Sequence, residues 1–224
     1  MTYAELVSAI KGYAENDFPA TAGSFTSTDQ LNTFIEQAEQ RIFNSVQFPV
    51  IRKNVTGTTT SGNKYLATPV DFLSSFSLAA IDATGSYEFL LNKDVNFIRE
   101  AYPSPTDLGT PAYYALFDEN TFILGPTPNA TYTMELHYYY YPESIVTAGT
   151  SWLGDNFDSV LLYASLLEAA AFMKSDPDVI GNYEKRYNEA LLLAKRLGDG
   201  LERSDAYRSG QFRMSNLPQN TAVR

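Results

Sequence analysis

The chain has 224 residues, 44% of them hydrophobic, which is enough for one large domain or two small ones with a buried core. It contains no cysteine, which excludes disulfides, thiol catalysis and cysteine-ligated metals, and its formal net charge of −10 argues against tight binding of nucleic acid. The N-terminus resembles no signal peptide, and no apolar run reaches the roughly 20 residues that span a bilayer. We therefore expect a soluble protein made in a cytoplasm, without a membrane partner.

Two helices are predicted at the N-terminal end. Apolar residues at helical spacing predict the first helix over residues 2–16. A loop with Pro19 and Gly23 follows. Residues 26–29 then offer N-caps for a second helix, which should end before Pro49.

The sequence texture changes between residues 50 and 147, where Thr, Gly, Tyr and Pro dominate and apolar residues alternate with polar ones. This alternation is typical of strands, and Asp94 begins a short predicted helix over residues 94–101. The predicted strands cover residues 55–60, 75–83, 87–91, 112–117, 121–124 and 131–141, with turns at 61–63, 84–86 and 118–120. We expect a small antiparallel sandwich or barrel.

Helical spacing returns after residue 150. Asp155 or Asn156 can cap a third helix, and Asp176 followed by Pro177 is a strong start signal for a fourth. Gly198 is predicted to end that helix. The fold class is therefore α+β: a bundle of about four helices formed by residues 1–49 and 151–198, an inserted antiparallel β domain over 50–150, and an extended C-terminal arm over 199–224.

The C-terminal arm is polar and lacks an apolar period. Beyond Asp199 it carries four arginines against two acidic residues, and aromatic and apolar side chains lie between the arginines. Arginine and aromatic residues together are typical of interface anchors, so we expect the arm to fold on a partner. A merely disordered end is the alternative.

Catalytic signals are weak. The single histidine, His137, lies in the middle of a predicted strand and is expected at the surface, and no G-x-S-x-G elbow surrounds any serine. The acidic residues Asp71, Asp82, Asp118 and Glu119 are expected to be solvated residues of turns. We predict no enzyme activity, no metal and no cofactor.

Four consecutive tyrosines, residues 138–141, end the clearest strand. A strand directs them alternately to its two faces, so one pair can pack inward while Tyr139 and Tyr141 stay at a surface. We expect Tyr139, Tyr141 and Trp152 at a subunit or tail interface. Stacked exposed tyrosines could also bind sugars or single-stranded bases.

Several segments of the chain, and the order in which they occur, resemble the head-to-tail adaptor (connector) proteins of tailed bacteriophages. The resemblance is to the podovirus type, which has an inserted β domain. The resemblance covers nearly the whole chain and lies in residues 34–42, 63–66, 69–73, 125–128, 138–142 and 152–153, and in the basic tail after Gly198.

The resemblance implies a structural virion protein of the neck and tail, assembled in the host bacterial cytoplasm. Such adaptors form a ring, expected to be a dodecamer, that lies beneath the portal protein, joins capsid to tail and lets genomic DNA pass through its lumen without specific binding. Their C-terminal arm grips the portal. In this chain the contact would fall on Arg203, Tyr207, Arg208, Phe212 and Arg213. Their β domain faces a tail nozzle, tube or fibre protein.

Two other functions compete with the adaptor hypothesis. The β domain and its tyrosines could form a carbohydrate- or receptor-binding module of a phage tail. A carboxylate-dependent enzyme such as a glycosidase would need two paired acids in a cleft, and the sequence offers no such pair.

Overall fold

The computed structural model describes residues 1–20, 25–104 and 106–209, with side chains described as far as residue 196. It contains two compact units, and the expected α+β class is confirmed. The helical unit consists of Met1–Gln47 and Glu143–Arg224, and the strand unit of Phe48–Pro142. The short helix at Ile145–Ala148 belongs to the helical unit, which resumes at Glu143.

The described part of the helical unit contains six α-helices. They are α1 (Tyr3–Ala14), α2 (Ser27–Ser45), α4 (Ile145–Ala148), α5 (Trp152–Asn156), α6 (Asp158–Met173) and α7 (Pro177–Ser209), while α3 (Val95–Ala101) belongs to the strand unit. Helix α6 is apolar on nearly all sides and is correspondingly buried, with α1, α2 and α7 packed against it. The predicted bundle of about four helices stays a prediction.

Local capping explains where these helices begin. Thr2 and Thr26 each form a capping box, with Glu5 and Asp29 respectively. The third predicted helix differs from the structure: Ser151 caps the separate short helix α5, and α6 begins only at Asp158. The start of α7 at Pro177 is as predicted.

Helix α7 does not end at Gly198, as predicted, but continues to Ser209. The expected extended arm is therefore wrong over residues 199–209, where the backbone is helical; residues 210–224 lie outside the described part of the chain. A glycine within a helix costs only about 1 kcal/mol relative to alanine, and good helix formers surround Gly198 and Gly200. Among the described residues, no helix has the length and apolarity needed to cross a bilayer.

The strand unit contains nine strands in its described part, and the short helix α3 (Val95–Ala101). The strands are β1 (Arg52–Thr58), β2 (Tyr65–Ala67), β3 (Ser74–Ile81), β4 (Tyr87–Asn92), β5 (Leu108–Gly109), β6 (Tyr113–Asp118), β7 (Thr121–Gly125), β8 (Thr127–Pro128) and β9 (Thr133–Tyr139). Seven form one curled sheet in the order β1-β9-β3-β4-β6-β7-β2, and β5 pairs with β8. Both predicted hairpins, β3–β4 and β6–β7, are present.

The sheet is not purely antiparallel, which corrects the prediction. Strands β4 and β6 pair in parallel, with Leu91 opposite Tyr113, and β5 and β8 are also parallel. The chain connects β4 to β6 through α3, and a parallel pair requires such a crossover. Helix α3 lies close to β7, since a Cβ atom added to Gly125 would come within 2.8 Å of Tyr102 and 2.9 Å of Ile98.

The core of the strand unit lies inside the curl. It receives alternate residues from β3, β4, β6, β7 and β9, which places strands from both ends of the sheet around one apolar cluster. Its buried members are Leu78, Ala80, Leu90, Tyr114, Phe122, Leu124, Tyr132, Met134, Leu136 and Tyr138. The opposite face of β1, β9, β3 and β4 is left outside this core, and it carries the site described next.

Candidate interaction surfaces

The tyrosine run at the end of β9 divides between the two faces of the sheet, as predicted. Tyr138 is 1% exposed, and its ring lies 6.0 Å from that of Phe72. The Tyr138 hydroxyl donates a 2.8 Å hydrogen bond to Asp71, which also accepts one from Lys53 Nζ at 2.8 Å. The bonds from Lys53 and Tyr138 lower the pKa of Asp71 below its usual value. Asp71 is thus a structural acceptor.

On the outer face, Tyr139 belongs to a cluster of rings and one cation. Its ring meets that of Phe76 edge to face at 6.0 Å, and Phe76 meets His137 in the same way at 6.1 Å. The Arg52 guanidinium lies 4.9 Å from the Phe76 ring centre and 5.7 Å from that of Tyr139. A register shift between Ser75 and Ser77 interrupts the pairing of β3 with β9 at Phe76. Such a bulge re-aims the side chain of the extra residue.

Strand β4 extends this outer face. Tyr87, Phe89 and Leu91 alternate with the buried Leu90 and are 53%, 69% and 59% exposed. The rings of Tyr87 and Phe89 are stacked, 6.1 Å apart. A hydrogen bond to Glu135 raises the pKa of Tyr87, so this strand is also tied to β9.

We call these residues the outer aromatic face, and its members are Arg52, Phe76, Tyr87, Phe89, Leu91, His137 and Tyr139. Aromatic rings with an arginine among them are the side chains that carry most binding energy at protein interfaces. The residues lie on adjacent strands of a hydrogen-bonded sheet, so the surface is held rigidly. Sequence reasoning found only Tyr139 and His137. The sequence does contain a signal for the rest of this surface. In residues 87–91 large apolar side chains occupy both the odd and the even positions, so one set must lie outside the core.

The predicted interface residues are distributed over both units. Tyr139 and Tyr141 belong to the strand unit, where Tyr141 is 39% exposed. Trp152 belongs to the helical unit, at the first position of α5, with its ring 5.3 Å from that of Phe157. The structure therefore assigns the three residues to two different units.

Of the predicted portal-binding residues, Arg203, Tyr207 and Arg208 fall on the last turns of α7, beyond the part with described side chains. Phe212 and Arg213 lie outside the described residues. Their proposed contact stays a prediction. The backbone of α7 does place positions 203 and 207 one helical turn apart, on one side of the helix.

The acidic residues singled out in the sequence serve local structure. Asp82 Oδ1 accepts hydrogen bonds from the backbone amides of Thr84 and Ser86, at 2.8 and 2.9 Å. Asp118 accepts one from the Asn120 amide at 2.9 Å. Asp82 precedes the turn that it stabilises, and Asp118 is the last residue of β6 before its turn, so each carboxylate supports a turn. His137 is exposed on its strand, as predicted. Within the described ranges, no group of three His, Cys, Asp or Glu side chains could hold a metal ion.

A small polar pocket of about 190 Å³ lies beside the β3–β4 hairpin, and it bears on the hypothesis of a carboxylate-dependent enzyme. Its lining includes Asp82, Glu88, Thr110 and Tyr132. Asp82 is already engaged by its turn, and the Tyr132 hydroxyl donates to Asn129 at 2.7 Å. Two acidic side chains, Asp82 and Glu88, therefore line the pocket, and Asp82 is held by its turn.

The comparisons with known proteins agree with a structural role. No curated protein matches the chain. The model of one family, described as SU10 adaptor protein, matches residues 1–214, which is nearly the entire length and includes both units. The chain therefore belongs to the SU10 adaptor protein family, a family of structural bacteriophage proteins and virion components.

Proposed function

We propose that this adaptor forms a ring beneath the portal and joins the capsid to the tail. The observation that carries the proposal is the family match over residues 1–214. A dodecamer is the expected stoichiometry, as in the adaptors that the sequence resembles. The ring would form part of the virion neck and assemble in the cytoplasm of the host bacterium.

The charge distribution suits a channel for DNA. Residues 1–180 contain 21 acidic and 8 basic residues, whereas residues 181–224 contain 5 acidic and 8 basic ones. A surface that is mainly acidic repels the phosphate backbone, so DNA can slide past it without being held. The basic residues are concentrated at the end of the chain, where we propose the contact with the portal.

The portal contact is assigned to the C-terminal end of the chain. Arg203, Tyr207 and Arg208 would extend it from α7, and Phe212 and Arg213 would continue it. An arginine forms bidentate hydrogen bonds with a carboxylate, and an aromatic ring fills an apolar pocket, so the partner should present both.

The outer aromatic face is assigned to a component of the tail, such as a nozzle, tube or fibre protein. Phe89 and Leu91 are more than half exposed, and Arg52 lies over two rings in the same surface. A partner that covered these side chains would remove apolar area from water, at roughly 25 cal/mol per Å². This makes the strand unit the lower contact of the ring.

Co-sedimentation with purified portal rings of the same phage tests the proposal. The full chain should sediment with portal, and a variant lacking residues 210–224, which loses Phe212 and Arg213 but keeps the three contacts on α7, should sediment with it much more weakly. This truncation leaves Pro177–Ser209 of α7 uncut, and a cooperative thermal unfolding transition checks that the shortened chain still folds. Normal portal binding by the truncated chain would refute the assignment of the arm.

A second candidate function is a carbohydrate- or receptor-binding module of the phage tail. The observation that favours it is the row of exposed rings on the strand unit, because sugars stack on such surfaces. The full chain should then bind glycans on an array, and Tyr139→Ala together with Tyr141→Ala should abolish that binding. No binding across a broad panel of glycans would eliminate this candidate.

A further inference from the structure

One side of helix α7 is buried, and the opposite side is exposed to solvent. Tyr187, Leu191 and Ala194 are 6%, 8% and 0% exposed, and α7 packs against α6. On the other side, Leu192 and Leu193 are 51% and 63% exposed. Leu192 and Leu193 are adjacent in the chain, so the exposed side of α7 carries a small apolar patch.

Cations surround these leucines. Successive residues of an α-helix are turned by 100° about its axis. On α7 this rotation brings Lys185, Leu192 and Arg196 into one narrow sector. Arg186 and Leu193 lie beside that sector, and all five side chains are exposed. We call these five residues the outward α7 face. Glu189 lies in the same sector, so the excess charge of the face is positive.

The rest of the helical unit has the opposite charge. Residues 1–47 and 143–176 contain 11 acidic and 3 basic residues. Helix α1 and the segment after it expose Glu5, Glu15 and Asp17, against one partly exposed lysine, Lys11, which lies 4.0 Å from Asp17, so the net charge of this surface is negative. At 1.5 Å per residue, Glu5 and Glu15 are about 15 Å apart along the chain, and Lys185 and Arg196 about 16 Å apart along α7. The two sets of charges therefore match in sign and in spacing.

We propose that the outward α7 face of one copy docks on α1 of a second copy, with Leu192 and Leu193 against the exposed side of α1 around Ser8. The contact joins two different surfaces, so it is heterologous and can close a ring. It rests on the proposed ring function and supplies its subunit interface. The charges favour this asymmetric contact over a symmetric one, because two positively charged α7 faces repel each other.

Disulfide trapping tests this contact on the full-length chain, because there is no native cysteine to interfere. One preparation carries Leu193→Cys and another carries Ser8→Cys, and they are mixed under mild oxidation. The matched control pairs Leu193→Cys with Gln37→Cys, an exposed position on α2. A disulfide forms only when the Cα atoms approach within about 7 Å, so the trap reports the docked geometry.

The 193–8 disulfide should form roughly tenfold faster than the 193–37 disulfide at low salt, and the advantage should shrink at high salt, because ions screen the charges. Adding Lys185→Glu and Arg196→Glu to the first chain should remove the advantage. Adding Glu15→Lys and Asp17→Lys to the second chain, which leaves the α1 capping box intact, should restore it. Equal rates for the two pairs would overturn the proposal, as would faster formation of 193–193 dimers, which indicates a symmetric contact. Portal is absent from the mixture, so a failure of portal binding gives a separate result.

Discussion

The hydroxyl of Tyr138 and the carboxylate of Asp71 are joined by a hydrogen bond of 2.8 Å. Tyr138 lies on β9 with its ring in the core, and Asp71 lies in the segment between β2 and β3. Asp71 is held in turn by Lys53 of β1. The bond therefore fixes a connecting segment to the sheet at the point where the tyrosine run begins, and thereby helps define which tyrosines face outward.

The first prediction concerns this bond. Tyr138→Phe keeps the ring but removes the donor, and should lower the free energy of unfolding by about 1 kcal/mol. Tyr139→Phe, on the outer face, should change it by less than about 0.5 kcal/mol. Urea unfolding of the two variants beside the parent chain measures both. Equal losses would show that the bond to Asp71 does not stabilise the strand unit.

The second prediction concerns Glu39 of α2, whose side chain is buried. Its Oε1 accepts a 3.0 Å hydrogen bond from the backbone amide of Ile145, at the start of α4. Burial raises the pKa of the Glu39 carboxyl, against the opposing effect of hydrogen bonds from Ser144 and Ile145. Because the folded chain holds this proton more tightly than the unfolded chain, the contribution of Glu39 to stability is greatest at low pH. It is lost as pH rises from the ordinary glutamate pKa through the raised value.

Glu39→Gln should therefore be more stable than the parent chain near neutral pH, since the amide keeps an acceptor for Ile145 without a buried charge. The difference in free energy of unfolding should shrink as pH falls and the parent carboxyl is protonated. Urea titrations of both chains across this pH range measure that difference. Other titrating groups, such as Asp71, are present in both chains, so their contributions cancel. A difference independent of pH would contradict the raised pKa.

The third prediction compares two neighbours on β4. Leu90→Ala empties a core position that is 6% exposed and should cost about 2–5 kcal/mol. Phe89→Ala changes a side chain that is 69% exposed and should cost less than about 0.5 kcal/mol. Thermal unfolding tests both. A large loss for Phe89→Ala would mean that this ring is part of the core and not of an interaction surface.

Local signals in the sequence identified many elements correctly. Alternation predicted β9, Asp176 with Pro177 predicted the start of α7, and turn residues predicted both hairpins. Each of these depends on neighbours within a few residues. The choice of N-cap was harder to predict around residue 155, because several polar residues there can cap a helix. In the structure Ser151 is the N-cap of α5.

Long-range pairing could not be predicted in the same way. The partner of β4 is β6, beyond α3, and only tertiary packing selects a parallel pair there. The outer position of Phe76 depends on a register shift between two strands distant in sequence. The continuation of α7 past Gly198, Asp199 and Gly200 shows that weak helix formers alone do not fix where a helix ends.

The family match supports an adaptor, and the central claim of the account is that this adaptor forms a ring on the portal. Electron microscopy of the purified chain mixed with portal rings from the same phage tests that claim most directly. A second ring stacked coaxially beneath the portal is expected, and far fewer portal rings should carry it when residues 210–224 are deleted. Intact portal rings with no added density, at chain concentrations well above those of portal, would contradict it.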